Sequence, residues 1–301
     1  MKVLAIITGP TAIGKTDAAI EAAKYFNTEI VSADSRQIYR ELHIGTAVPE
    51  EVDLKSVPHH FIHSHSIFDN YNASRYETEA LELLDQLYTK HDIVILTGGS
   101  MLYIDALCNG IDLIPDIDLQ LREELKVRLE EEGIESLRLQ LKKLDPVYYI
   151  NVDLKNPARI VHALEVCLMT GKPYSSFRRD SPKKRDFAII KTALDCDRSK
   201  LHTRINTRVD RMIQSGLEDE VQALLPVKHL NSLNTVGYRE LFDYYEGKIA
   251  KDKAIELIKR NSRRYARKQL TWFRRDKEYK WFTPQEVPQL IKHIETLIKN
   301  L

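Results

Sequence analysis

The octapeptide Gly9-Pro10-Thr11-Ala12-Ile13-Gly14-Lys15-Thr16 constrains this chain more than any other stretch. It satisfies the spacing G-x-x-x-x-G-K-S/T in full. It also stands where that spacing has a physical meaning, after the apolar, β-branched run Val3 to Thr8 and before residues that turn to helical periodicity from Lys15 to Phe26. In a strand, glycine turn and helix of this kind, the glycines let backbone N–H groups face inward around phosphate oxygens. Lys15 adds a mobile positive charge, Thr16 offers a hydroxyl to Mg2+, and the helix N-terminus adds its dipole. The motif specifies a di- or triphosphate and leaves open which one.

Two more short apolar runs, Glu29 to Ala33 and Ile93 to Thr97, read as buried parallel strands, with a helix from Ser74 to Tyr88 between them. The first third is therefore α/β and doubly wound. From about Asp116 to Gly171 the chain changes to charged helix formers with no strand signal, and Phe187 to Leu194 then reads as another core strand. This predicts a P-loop NTPase-like core, a parallel sheet flanked by helices, from residues 1–115 and 183–301, with an all-helical insertion over 116–182. SSFRRDSPKKRD (175–186) serves as hinge or linker.

With 301 residues, 43% apolar and 30% charged, the chain has the makings of a real core, which excludes disorder as its main state. Its net charge of +1 means that an anionic partner must be met by locally clustered charge. Cys108, Cys167 and Cys196 form neither a disulfide framework nor a zinc pair and suit a reducing compartment. No signal peptide or membrane span is legible, so a cytoplasmic location is expected.

Asp34, in Asp34-Ser35-Arg36-Gln37, is expected at the carboxyl edge of the sheet beside the phosphate loop, as general base, metal-side carboxylate or turn cap. Gly98-Gly99-Ser100 opens toward the same edge or is a purely structural turn. The strand before it lacks the terminal Asp usual in a nucleotide hydrolase, so the loop can serve a pyrophosphate leaving group instead. Arg204, Arg208 and Arg211 share a helix whose apolar stripe is Leu201, Ile205, Val209 and Met212. His59, His60, His63 and His65 lack helical ligand spacing, and metal binding by them is the less favoured reading.

From Lys259 to Lys280 the chain carries ten Lys or Arg against Asp276 and Glu278, near +8 in a protein that totals +1. Arg260, Arg263, Arg264 and Arg267 fall at helical spacing, interleaved with Tyr265, Trp272 and Phe273. That combination suits a phosphate backbone with unstacked bases, or else a solvated helix with core aromatics. The run from Arg178 to Lys191 is a second candidate contact.

Taken together, GPTAIGKT (9–16), ADSRQIYRELHIGTA (33–47), LTGGSMLY (96–103), NPARIVHALEV (156–166), DR..L..RI..RVD (197–210), TVGYRE (235–240) and RRYARKQLTWFR (263–274) resemble the tRNA dimethylallyltransferase (isopentenyl-tRNA transferase) family, bacterial type, over essentially the whole length. The resemblance implies Mg2+-dependent transfer of a dimethylallyl group from dimethylallyl diphosphate to the exocyclic amine of the adenine just 3′ of the tRNA anticodon. It implies that the adenine is flipped into a channel while the insertion grips the anticodon stem-loop. By the same carry-over, the catalytic set is Asp34 as base, Arg208 neutralising the departing diphosphate and Thr16 holding the metal, and Gly9 through Thr16 hold the diphosphate. Asp34, Ser35, Arg36, Gln37, Ser100, Arg122, Ala158, Arg159, Ile160, Val161, His162, Val236, Gly237, Tyr238 and Arg239 would touch tRNA. The chain departs from the family pattern at Val48, where Lys is usual before Pro49, and at Ser100, where Thr is usual and the hydroxyl is kept. Nothing resembles the extra zinc finger of some eukaryotic members.

The alternatives are an adenylate isopentenyltransferase, a P-loop small-molecule kinase acting with ATP, and a non-catalytic RNA-binding module. The helical insertion and the +8 segment argue against a free-nucleotide acceptor. Nothing demands more than a monomer.

Overall fold

The computed structural model describes residues 1–112, 118–178 and 183–301. It contains two compact units, residues 1–108 with 184–301, and residues 109–183. The expected boundaries at 115/116 and 182/183, and the middle of the expected hinge, lie outside the described residues.

The first unit is built on strands β1 (Val3–Thr8), β2 (Ile30–Ser32), β3 (His59–His60), β4 (Ile93–Gly98), β5 (Ala188–Leu194) and β6 (Lys280–Phe282), all parallel in the order β3-β2-β4-β1-β5-β6. Their register sets Val3 opposite Ile93 and Ala188. Alternate side chains enter two separate cores, one with Leu4, Ile6, Val94 and Leu96, the other with Val3, Ala5, Ile7 and Ile95. A sheet buried on both faces explains why these strands read as unbroken apolar runs. β3 (His-His) and β6 (Lys-Trp-Phe) gave no such signal, because they are short and, unlike equally short β2, hold no aliphatic β-branched residues.

Helices cover both faces. Helix α1 (Lys15–Phe26) and the C-terminal helix pack on the second core. On the way there the chain forms α2 (Glu51–Ser56), α3 (Ala73–Leu87) and α4 (Met101–Asn109). The helical unit supplies α5 (Leu119–Glu132), α6 (Ile134–Leu144), α7 (Pro146–Asn151) and α8 (Pro157–Thr170). The chain continues with α9 (Arg198–Gln214), α10 (Leu217–Ala223), α11 (Tyr238–Tyr245), α12 (Lys251–Phe273) and α13 (Val287–Lys299). Starts are set by local chemistry: Asn72, Asn156 and Asp197 accept from first-turn amides of α3, α8 and α9.

The second unit has its own core, in which Leu125, Leu137, Leu141, Ile160, Ala163 and Leu164 converge from α5, α6 and α8. Ile160 is fully buried and Val161 nearly so, which removes both side chains from the expected tRNA contacts. Ala158 and Arg159 are exposed on the first turn of the same helix, and His162 is half-buried. Arg122 donates from Nε and an NH2 group to the two oxygens of fully buried Glu165, at 2.6 and 2.9 Å, and so neutralises a core carboxylate.

Candidate active site

The phosphate loop is a backbone device. Gly9 has φ of 146° and lies so close to β5 that a Cβ there would sit 2.5 Å from the Leu194 carbonyl oxygen. Ala12 and Gly14 also take positive φ, 64° and 101°. Ile13 turns its side chain fully into the core, and Arg204 fastens the loop from outside by donating Nε to the Ala12 carbonyl at 2.8 Å. Among the described residues, the backbone N–H groups of Gly14, Lys15 and Thr16 donate to nothing, which leaves three unpaired donors at the start of α1, as an anion site requires.

Lys15 donates from Nζ to the Pro10 carbonyl at 2.9 Å. Burial and then the neighbouring Arg208 push its amine down to about 8, against the opposing pull of Asp34. Two cations held close with little water are stable chiefly when an anion joins them. The Thr16 hydroxyl makes no hydrogen bond among the described residues, which fits a single protein ligand to a Mg2+ ion otherwise held by phosphates and waters. No group of three or more His, Cys, Asp or Glu among the described residues offers an all-protein metal cage.

The loop opens into a cavity of about 850 Å³ that collects residues scattered through the sequence. Thr11 and Ala12 of the loop, Asp34, Ser35 and Arg36 after β2, Ser100 before α4, and Arg208 of α9 line it. So do Val236, Gly237 and Arg239, and Arg260, Arg264, Tyr265, Arg267 and Lys268 of α12. Asp34 plays two parts: its Oδ1 accepts from the amides of Arg36 (2.9 Å) and Gln37 (3.2 Å), a turn cap, while Oδ2 accepts no bond among the described residues. Tyr265 stands close enough to Asp34 that the carboxylate adds to burial in pushing its phenol up to about 12.

Several expectations need correction. Tyr238 is fully buried, donates its hydroxyl to Glu220 at 2.6 Å and packs on Gly45, where a Cβ would come within 2.6 Å of the ring. It braces the loop that carries Gly45 and leaves no exposed side-chain surface for the expected contact. Half-buried Gln37 and Arg36 keep their places as candidates while also bonding to the fold: Gln37 donates from its amide group to the carbonyls of Thr46 and Ala47, and Arg36, which lines the cavity, donates to Ser232 O at 2.7 Å. Arg263 leaves the α12 stripe and donates to Asn206 Oδ1 of α9. Phe273 is buried and Trp272 packs on the core, which leaves Tyr265 as the stacking candidate. Arg211 is exposed and does not line the cavity.

In the run from Arg178 to Lys191, Lys191 is tied to Asp276 and Glu278, and Arg185 to Glu77, so these cations serve the fold. Residues 179–182 of that run lie outside the described residues. The four histidines have separate partners: His59 lies 2.8 Å from Val57 O, His60 2.6 Å from Glu29, His63 3.2 Å from Leu42 O and His65 3.2 Å from Glu79.

Two contributors went unread in the sequence. Glu220 accepts from the amides of His43, Ile44 and Gly45 and from Tyr238, so it orders the loop that carries Thr46. Gln269, 1% exposed, accepts from Thr11 N at 2.9 Å and donates to Gly99 O at 2.8 Å. One carboxylate or amide in a charged helix carries no pattern that marks it.

A family model described as IPP transferase matches residues 37–276. The chain is 52% identical over 301 residues to tRNA dimethylallyltransferase 1 of Bacteroides thetaiotaomicron, covering 100% of this chain and 97% of that one. It is 53% identical over 289 residues to tRNA dimethylallyltransferase 2 of Azobacteroides pseudotrichonymphae, covering 96% and 94%. Among solved structures, the full-length tRNA isopentenylpyrophosphate transferase of Bacillus halodurans superposes with a TM-score of 0.74 at 31% identity, over 100% of this chain and 98% of that chain.

Proposed function

The chain belongs to the IPP transferase family, and from that premise we propose that it transfers a dimethylallyl group from dimethylallyl diphosphate to the exocyclic amine of the adenine 3′-adjacent to the tRNA anticodon. The observation that carries this reading is that the phosphate loop, Asp34, Arg208 and the basic stripe of α12 all open into one cavity. A kinase needs the first three; only a polyanionic acceptor gives a reason for the fourth.

The adenine amine attacks C1 of the allyl group, the C1–O bond breaks, diphosphate departs, and the amine proton passes to the free oxygen of Asp34. Charge growing on the leaving group meets the amides of Gly14, Lys15 and Thr16 and the cations Lys15 and Arg208. Extrusion of the adenine exposes an amine otherwise buried in a base stack, and Tyr265 offers a surface for the flipped region. Mg2+, held by the Thr16 hydroxyl, would supply further charge neutralisation at the diphosphate. Exposed Ala158 and Arg159 and half-buried His162 of the helical unit are the remaining candidates on α8 for gripping the anticodon stem-loop. Among the described residues no helix is long and apolar enough to cross a membrane. The proposed reaction places the protein, as a monomer, in the cytoplasm with its tRNA substrate.

The test is transfer of label from radiolabelled dimethylallyl diphosphate, with Mg2+, to unmodified tRNA, to AMP or to no acceptor. Label in tRNA alone is expected. Label in AMP would move the reading to a free-nucleotide enzyme, and ATP turnover without any label would move it to a kinase. In the same assay Asp34→Asn keeps the turn-capping oxygen and loses the base. Its rate should fall by about 100-fold or more while tRNA affinity stays within a few-fold; parallel loss of binding would remove the base assignment.

A further inference from the structure

Gln269 lies on α12, a helix whose exposed cations face the cavity, yet its own side chain is buried and reaches two loops at once. Its Oε1 accepts from Thr11 N inside the phosphate loop, and its Nε2 donates to Gly99 O in the turn before Ser100. Tyr265, one helical turn earlier, directs its hydroxyl to the same Gly99 oxygen at 3.4 Å. Gly99 is fitted to this contact, since a Cβ there would sit 2.4 Å from Gln269 Nε2.

We infer that Gln269 is a positioning residue for the diphosphate: by holding the Thr11 amide and the Gly99 carbonyl together, it fixes the phosphate loop in the shape that leaves the Gly14–Thr16 amides unpaired at the start of α1. The inference rests on the proposed use of the loop for a diphosphate. Gln269 touches no substrate. It acts by removing freedom that the loop would otherwise lose only on binding, a cost that appears directly as weaker affinity. Because the brace is rooted in α12, the helix that presents Arg264, Arg267 and Lys268 also sets the loop.

The test titrates magnesium pyrophosphate into the full-length protein by calorimetry, which needs no acceptor. Gln269→Met, of similar length without either polar group, should weaken pyrophosphate binding about tenfold. It should raise KM for dimethylallyl diphosphate similarly, with kcat and tRNA affinity within about threefold. Gly99→Ala displaces the same amide from the opposite side and should reproduce the effect. The double variant should be no worse than either single one, since both break one interaction.

Unchanged pyrophosphate affinity in both variants, or additive losses, would overturn the inference. So would a uniform fall in pyrophosphate binding, tRNA binding and melting temperature, which marks a purely structural glutamine. Absence of pyrophosphate binding by the wild type would also overturn it. Label in AMP in place of tRNA would overturn the proposed acceptor and leave the titration result standing.

Discussion

At the scale of single residues, the site depends on groups held away from their preferred state. Lys15 is the clearest: burial and Arg208 hold its amine down to about 8, where an exposed lysine stays charged past pH 10. A bound diphosphate supplies the missing negative charge and raises that value again, so binding near and above pH 8 must take up a proton. Affinity for magnesium pyrophosphate should therefore fall as pH rises through 8. Calorimetry at pH 8 in two buffers of different ionisation enthalpy should show proton uptake that disappears in Lys15→Met; equal heats in both buffers would sink the assignment. Asp34 shows a second kind of economy, because one oxygen is committed to the turn and the other is left for chemistry.

At the scale of elements, α12 divides its basic residues by direction. Arg260, Arg264, Arg267 and Lys268 line the cavity, whereas Arg263 turns to Asn206 and Lys259 pairs with Asp210 at 2.5 Å. Charge alone does not distinguish them; the partner on α9 does. Arg264→Ala combined with Arg267→Ala should weaken tRNA binding and reduce the slope of log affinity against log salt by about 1 for each phosphate no longer neutralised. Arg263→Ala should leave that slope unchanged and lower stability instead. Nitrocellulose-filter titrations over a salt series separate the two, and a shallower slope in Arg263→Ala would place that guanidinium on the RNA.

At the scale of the whole molecule, one carboxylate that does not line the cavity ties neighbouring strands of the sheet together. Glu29, just before β2, sits 2.6 Å from His60 Nε2 of β3 and 3.3 Å from His91 Nε2 before β4, so one carboxylate ties three adjacent segments. Burial alone would push its carboxyl up, but the two histidine hydrogen bonds outweigh that and hold it below its ordinary 4.5. A carboxyl depressed in the folded state contributes stability that is present above about pH 4.5 and lost as pH falls through the folded value. Glu29→Gln should therefore melt below the wild type at pH 7, with the gap closing toward pH 3. A gap that persists at low pH would show that the loss comes from packing.

How much of this was legible follows from the range over which each signal acts. The octapeptide 9–16, the apolar strand runs and the change of composition near residue 116 are local patterns, and they determined a parallel sheet with a phosphate loop and an all-helical segment. The residues Asp34, Ser100 and Arg208 could be nominated because each follows a recognisable strand end or helical stripe. Tertiary packing alone decided that Tyr238, Ile160 and Val161 are buried, that Arg263 serves the fold while Arg267 faces the cavity, and that Glu220 and Gln269 hold the loops. Each of those outcomes depends on a partner tens to hundreds of residues away, as Gln269 does on Thr11. A one-dimensional period records which face of an element is apolar, but carries no information about which distant backbone group that face will meet.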